Sequence, residues 1–376
     1  MKVNHTGLRT WIEIDTKAIS TNYRTFRKLV PKNVKIMGVV KSNAYGHNII
    51  EFSRELEKLG VDMLAVDSLV EALSLRKAGI KKKILVLGYT LPELFSKTVS
   101  TNIHLTISSI EGLRVFLKSS YARKIRIHLK VDTGMHRQGF LFSDSRRVFK
   151  MLEGSKANVV GLYTHFAAAK DAHERKFTKG QIAEFEKWRL CLSQAGFSLL
   201  THAGATGGTI AFPEAHFDMT RIGIGMYGVW PSSEIEEAKK KSLLLKPVLS
   251  WKTIISEVKV ISAGEGVGYD LTHRVKQTTR IAVCPIGYWH GYPRALSNNS
   301  GVLVRGKRAK VLGRISMDMI VIDVTDIPRV KVGDKVVLIG KSGKEEIKAS
   351  ELATLADTSA YEILTRLNPL IKRIYR

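Results

Sequence analysis

Residues 34–66 read VKIMGVVKSNAYGHNIIEFSRELEKLGVDMLAV. Val34 to Val40 is a short apolar run, as expected of a strand covered on both faces. His47 to Leu59 then spaces its apolar residues at a helical period, and Met63 to Val66 returns to an apolar run. The same rhythm extends in both directions. Upstream, Trp11 to Asp15 reads as a strand and Lys17 to Leu29 as a helix, with Asp15 or Thr16 as its cap. Downstream, the expected strands are 84–87, 105–107, 125–131, 159–163, 199–203 and 220–224. The helices expected between them are 69–78, 91–96, 110–117, 143–152 and 178–195. Repeated strand–helix alternation implies a parallel sheet with helical crossovers. A doubly wound open sheet and a (β/α)8 barrel both fit. About eight units over ~230 residues favour the TIM barrel. No GxGxxG follows a strand, so a dinucleotide-binding sheet lacks its fingerprint.

After Pro231 the rhythm changes. Residues 234–241 are strongly charged and read as a connector. Beyond them come β-rich runs at 253–260, 280–284, 301–304, 319–324 and 335–339, separated by glycines. Helical pattern returns only near 349–355 and 360–364. The expected division is an α/β barrel over residues 1–240 and a C-terminal, mainly-β domain over 241–376.

The chain has 376 residues and 44% hydrophobic content, ample for two packed cores. Its formal charge is +26, from 60 Lys+Arg against 34 Asp+Glu. The basic residues are scattered, with short runs only at 81–83, 239–241 and 372–373. None is interleaved with aromatics, so no nucleic-acid partner is expected. The two cysteines, Cys191 and Cys284, show neither CxxC nor zinc spacing, which points away from a metal site or a disulfide framework. Residues 1–10 are polar rather than signal-like, and no apolar run approaches the ~18 residues of a membrane span. A soluble, cytoplasmic protein is the expectation.

Polar residues collect at strand ends. Lys41 follows Val39-Val40, and on an apolar wall a lysine loses proton affinity and becomes a nucleophile for an aldehyde. Arg137 follows the strand ending at Lys130-Val131. His165 and His202 each follow a strand, and Arg221 precedes Ile222-Gly223-Ile224-Gly225. Glycines let backbone N–H groups approach an anion, and Thr206 and Tyr45 offer hydroxyls to the same group. Five or six polar residues at consecutive strand ends make a site at the barrel mouth.

The stretch Val39 to His47 resembles the pyridoxal 5′-phosphate (PLP) attachment motif of alanine racemases. Residues 130–134 with Arg137, and residues 163–166, 217–223, 264–269, 285–288, 313–319 and 360–364, resemble segments of the same family, in order. The likeness covers about residues 10 to 376. It implies a PLP-binding barrel followed by a β domain, and interconversion of L- and D-alanine by two bases, supplying D-alanine for peptidoglycan. Lys41 would hold PLP as a Schiff base and act as one acid/base. Tyr269, lent by the partner in a homodimer, would be the other, since inversion needs proton carriers on opposite faces. A free tyrosine is a weak base, so cations must support it, and His165 and Arg221 suit that network. Arg221 would face the pyridine nitrogen and keep it unprotonated, which weakens the electron sink. Tyr45, His165, Thr206, Arg221, Gly223, Ile224 and Tyr361 match cofactor-binding positions. Arg137 and Met317 match carboxylate-binding ones, Met317 through its backbone and across the interface. His202 resembles the partner that orients Arg221. Lys130 matches a lysine that is carbamylated in some members.

The chain departs from the family pattern in places. Ala205 stands where an asparagine is usual, Gln138 where an apolar residue is usual, and Trp289-His290 where smaller residues are usual. These changes bear on substrate range. The alternatives are a broader racemase acting on serine, lysine or arginine, and a non-catalytic PLP-binding protein.

Overall fold

The computed structural model describes residues 7–376. The polar N-terminal reading therefore lies in part, at residues 1–6, outside the described residues. The chain forms two compact units. One contains Ile19–Ala44 and Ile49–Lys246; the other contains the chain up to Ala18, Tyr45–Asn48 and Pro247–Arg376.

In chain order the first strand is β1 (Thr10–Ile14). The next eight are β2 (Lys35–Val39), β3 (Met63–Val66), β4 (Lys83–Val86), β5 (Ile103–Ile107), β6 (Arg126–Lys130), β7 (Asn158–Tyr163), β8 (Leu200–His202) and β9 (Met219–Ile222). These eight form one sheet in the order β8-β7-β6-β5-β4-β3-β2-β9, and every pair in it is parallel. The gap between β8 and β9 is bridged without a regular ladder. Asp218 N donates to Thr201 O at 3.1 Å, Arg221 N donates to Gly204 O at 2.9 Å, and the Asp218 carboxylate accepts from Thr201 N at 2.8 Å. The result is the expected eight-stranded barrel with helical crossovers. Its strands are buried almost throughout, which is why they read as continuous apolar runs.

The strand expected at Trp11–Asp15 forms, but it does not join the barrel. β1 pairs antiparallel with β10 (Leu249–Ile254) and parallel with the terminal strand Lys372–Tyr375. A strand followed by a helix reads as a barrel unit from sequence; only the long-range pairing shows which sheet it enters. Asp15 caps the helix Thr16–Leu29, its carboxylate accepting from Ala18 N at 3.0 Å. The charged 234–241 segment is also corrected. It is a helix, Ser233–Lys239, started by Ser232 Oγ accepting from Ile235 N.

The second unit is built on a ten-stranded, mostly antiparallel sheet, followed by helices Ala349–Leu355 and Ala360–Thr365 as expected. Glu13 of β1 is buried and takes an ion pair from Lys252 at 2.6 Å and another from Arg376 at 2.5 Å. Among the described residues no helix is long and apolar enough to cross a membrane.

Candidate active site

Lys41 stands one residue beyond Val40, at the C-terminal end of β2 where barrel sites form. It is not on an apolar wall, as expected from sequence. Its side chain is 38% exposed, and Nζ lies 3.3 Å from Asp67 Oδ1. Asp67 directly follows β3, so two neighbouring strand ends supply the pair.

The backbone after Lys41 is unusual. Ser42, Asn43, Ala44 and Tyr45 all have φ between 51° and 55°, a left-handed turn. Non-glycine residues are disfavoured there by ~1–2 kcal/mol each, and such strain collects at functional sites. Side chains hold the turn. The Glu71 carboxylate accepts from Ser42 N at 2.7 Å, Asn43 N at 3.4 Å and Asp67 N at 2.9 Å. Asn43 Oδ1 accepts from Ile49 N at 2.9 Å. The Ser68-x-x-Glu71 spacing is a capping box in sequence, and Ser68 does cap the helix Leu69–Lys77. Glu71 reaches past the box to the Lys41 turn, which its motif gave no reason to expect.

Arg221 on β9 is buried and has no carboxylate partner among the described residues. Its Nη1 donates to His202 Nδ1 at 2.9 Å and to His202 O at 3.0 Å. Its Nη2 donates to Thr164 O and Ala203 O, both at 2.7 Å, and lies 3.2 Å from His165 Nδ1. Burial pulls the guanidinium down to about 10, so it stays charged near neutrality. His165 is pushed down to about 3, first by burial and then by Arg221, Arg137, Lys130 and Lys41. It is therefore a neutral imidazole, and with Nδ1 facing Arg221 its proton sits on Nε2. Lys41, Lys130, Arg137 and Arg221 are all near enough to His165 to act on it electrostatically. A concentration of cations with Arg221 uncompensated favours an anionic ligand.

Lys130 is pulled down to about 8 by burial and by Arg137 and Arg221. Its Nζ donates to Gln138 Oε1 at 3.2 Å, so the departure at Gln138 supplies its hydrogen-bond partner. Asp132 shapes the loop carrying Arg137. Its carboxylate accepts from Gly134, Met135, His136 and Arg137 N at 2.9–3.1 Å. Burial raises the Asp132 carboxyl, but these four N–H groups outweigh it and hold it below the ordinary carboxylate value. Thr206 opens the helix Thr206–Ala211, with Ala205 at the cap making no side-chain bond. Its hydroxyl accepts from Gly223 N at 3.2 Å and Gly225 N at 3.3 Å, with Ile224 between them. Thr206, Gly223 and Ile224 are thus one cluster.

The second unit holds the remaining candidates. Tyr45 and Tyr361 bring their rings to 6.0 Å. Burial pushes Tyr361 up to about 12 and Tyr45 higher still. Gly46 is required beside them, since a Cβ there would lie 2.1 Å from Leu364 O. Tyr269 is 70% exposed. With Tyr288, Arg294, Arg314 and Ser316 it lines an open pocket of about 250 Å3. Met317 is also exposed, and its carbonyl accepts from Trp289 N at 3.0 Å. Asp67, Glu71 and Asp132 were missed by sequence reasoning. An Asp opening a glycine turn is a recognisable signal for Asp132; nothing comparable marks Asp67.

Comparisons with known proteins agree over the whole length. Residues 14–231 match the family described as alanine racemase, N-terminal domain, and residues 248–375 match alanine racemase, C-terminal domain. The chain is 37% identical to an alanine racemase of Leptospira interrogans, covering 97% of this chain and 95% of that one. It is 39% identical to alanine racemase 2 of Bacillus subtilis, covering 97% and 94%. It resembles the solved alanine racemase of Clostridium difficile 630 with a TM-score of 0.91, 32% identity and coverage of 98% and 96%. The alanine racemase of Bacillus anthracis with bound L-Ala-P gives a TM-score of 0.91 at 35% identity, covering 98% and 95%.

Proposed function

The chain belongs to the alanine racemase family, and from that premise we propose that it interconverts L- and D-alanine with PLP on Lys41. In this reading residues 1–240 carry the cofactor and residues 241–376 carry Tyr269, which a second copy of the chain brings to the site. The product is a cytoplasmic supply of D-alanine for peptidoglycan. The observation that carries the reading is Arg221: a buried, charged guanidinium with no carboxylate partner among the described residues, beside a neutral His165 on which Arg137, Lys130 and Lys41 also act.

The residues present fit PLP. Thr206, Gly223 and Ile224 are suited to hold its phosphate, because the Thr206 hydroxyl and turn N–H groups can turn to donate to it; Tyr45 and Tyr361 are assigned to the phosphate by resemblance to the family alone. Arg221 would face its ring nitrogen, and a permanent donor there leaves that nitrogen without a proton. When bound, the cofactor acidifies the α-hydrogen of an attached amino acid.

The chain's own groups do the rest. Lys41 Nζ exchanges a proton on one face of Cα, and the Tyr269 hydroxyl exchanges one on the opposite face. Arg137, set by Asp132, binds the substrate carboxylate together with the Met317 backbone of the second copy. Lys130, carbamylated or not, steadies Arg137. His165, locked as an Nε2–H donor, extends the polar network from Arg221 towards the tyrosine. Tyr269, Leu271, Tyr288, Trp289, Met317 and Met319 are each exposed in the second unit, side chains that a homodimer contact would cover.

The test is direct. The purified protein should show a visible cofactor band and racemise L-alanine in a chiral assay. Lys41→Ala should lose the band. Tyr269→Phe should keep the band and lose most of the activity. A normal rate in either variant would overturn the assignment, and a panel of L-amino acids reads the substrate range.

A further inference from the structure

Three buried histidines lie inside the barrel behind Arg221. His202 ends β8, His128 is central in β6, and His104 is the second residue of β5. They touch in series. His202 Nε2 lies 3.0 Å from His128 Nδ1, and His128 Nε2 lies 3.1 Å from His104 Nδ1. Both are ordinary hydrogen-bond lengths. The rings are built in rather than accidental neighbours. Tyr163 stacks on His202 with centroids 4.8 Å apart and planes 6° apart. Position 161 on β7 is glycine, and a Cβ there would lie 2.1 Å from His128 Nδ1.

The direction of every bond follows from one fact: arginine only donates. Arg221 Nη1 lies 2.9 Å from His202 Nδ1, so that nitrogen accepts. In a neutral ring the other nitrogen then carries the proton, so His202 Nε2–H donates to His128 Nδ1. The same step makes His128 Nε2–H donate to His104 Nδ1. His104 Nε2–H is the free end, buried and without a partner among the described residues. Reversing any ring would set two donors, or two lone pairs, against each other.

We propose that His202, His128 and His104 form a one-way chain of neutral Nε2–H imidazoles, and that His128 and His104 are positioning residues for Arg221. The chain keeps His202 Nδ1 as a permanent acceptor, which fixes the plane of the guanidinium. It also has no lone pair open to a proton, because each unprotonated nitrogen already faces a donor. No proton can therefore reach Arg221, or whatever Arg221 faces, through the barrel interior. The surroundings oppose protonation throughout. Burial is the largest cause at every ring; after it, Arg126, Lys83 and Arg76 act on His104, His104 and Arg221 act on His128, and Arg221 and His128 act on His202. What Arg221 faces rests on the function proposed above; the bond directions do not.

The test is long-range 1H–15N NMR of the purified full-length protein labelled with 15N-histidine, the three rings being assigned from His104→Gln and His128→Gln. The expected result is three neutral Nε2–H rings with signals unchanged between about pH 5.5 and pH 8.5. An Nδ1–H tautomer or a charged ring at any of the three positions overturns the proposal. The positioning role is read from kinetics. His128→Leu should lower kcat roughly 10-fold or more, as expected when a catalytic group is set askew. The KM for alanine should move less than about twofold, because Arg137 is untouched. His128→Gln can accept on one side and donate on the other, so it should recover most of the rate. A wild-type kcat in His128→Leu, or no recovery in His128→Gln, overturns the role. If His128→Leu does not fold, the wild-type spectra, assigned from the two glutamine variants, decide alone. The expected tautomers in a protein that racemises nothing would support the chain and refute the proposed function.

Discussion

Replacing Glu71 should disable the enzyme without unfolding it. The Glu71 carboxylate restrains the turn behind Lys41 through Ser42 N at 2.7 Å and Asp67 N at 2.9 Å, with a weaker bond to Asn43 N. A hydrogen bond to a charged acceptor contributes ~1.5–3 kcal/mol when shielded. Both short bonds lie near solvent, so about half of that applies, or roughly 2 kcal/mol together. Against them stands the strain of the left-handed residues, ~1–2 kcal/mol each for Ser42, Ala44 and Tyr45, with Asn43 tolerated best. A loss of roughly 2 kcal/mol shifts the balance between strained and relaxed turns by about 30-fold. Glu71→Ala should therefore lower kcat/KM for L-alanine by about 10- to 100-fold in the chiral assay. The urea midpoint should fall by less than a full loss of ~2 kcal/mol implies, because relaxation of the strained turn offsets part of it. Glu71→Gln keeps one acceptor oxygen and should fall between the two. A Glu71→Ala enzyme within twofold of wild type would refute the reasoning, because the turn would then hold itself.

Three further outcomes follow from the same geometry. His104 and His165 are held down to about 3 and His128 and His202 well below their ordinary value, all chiefly by burial. The unfolded chain thus binds protons that the folded chain refuses, so stability is full above about pH 6.5 and falls towards pH 3, by ~1.4 kcal/mol per pH unit for each histidine. Equal urea midpoints at pH 7 and pH 5 would contradict this. Gly161→Ala would push a Cβ to 2.1 Å from His128 Nδ1, so destabilisation of ~1–3 kcal/mol is expected by denaturant titration, and an unchanged midpoint would contradict the packing. Glu13→Ala leaves the partly buried Lys252 opposite no carboxylate; a cost of about 1–3 kcal/mol is expected by denaturant titration, and an unchanged midpoint would show that water screens the pair.

The barrel was legible because its strands are buried on both faces and its helices on one, two periods that sequence displays directly. β1 was assigned to the wrong sheet for an equally physical reason. Trp11, Ile12 and Ile14 are buried as a barrel strand's would be, and their partners lie more than 200 positions away. The helix at Ser233–Lys239 was hidden by its charge, since a short solvated helix shows little apolar stripe. Strand-end lysines, arginines and histidines stood out in the mouth. Asp67 and Glu71 did not, because Asp67 acts by pairing with the Lys41 ammonium and Glu71 by accepting hydrogen bonds from another segment's backbone, and neither leaves a local pattern. His104 and His128 sit within apolar strands, where a lone histidine reads as core; only distances reveal the series.

The central claim is that Lys41 of one subunit and Tyr269 of another serve the same substrate carbon. Mixing Lys41→Ala and Tyr269→Phe subunits under conditions of proven exchange tests it most directly. A shared site predicts that two inactive proteins regain racemisation, up to roughly a quarter of the wild-type rate, since half the dimers are mixed and each mixed dimer has one intact site. No recovery, with exchange demonstrated, would place both residues on the same chain's site and contradict the account.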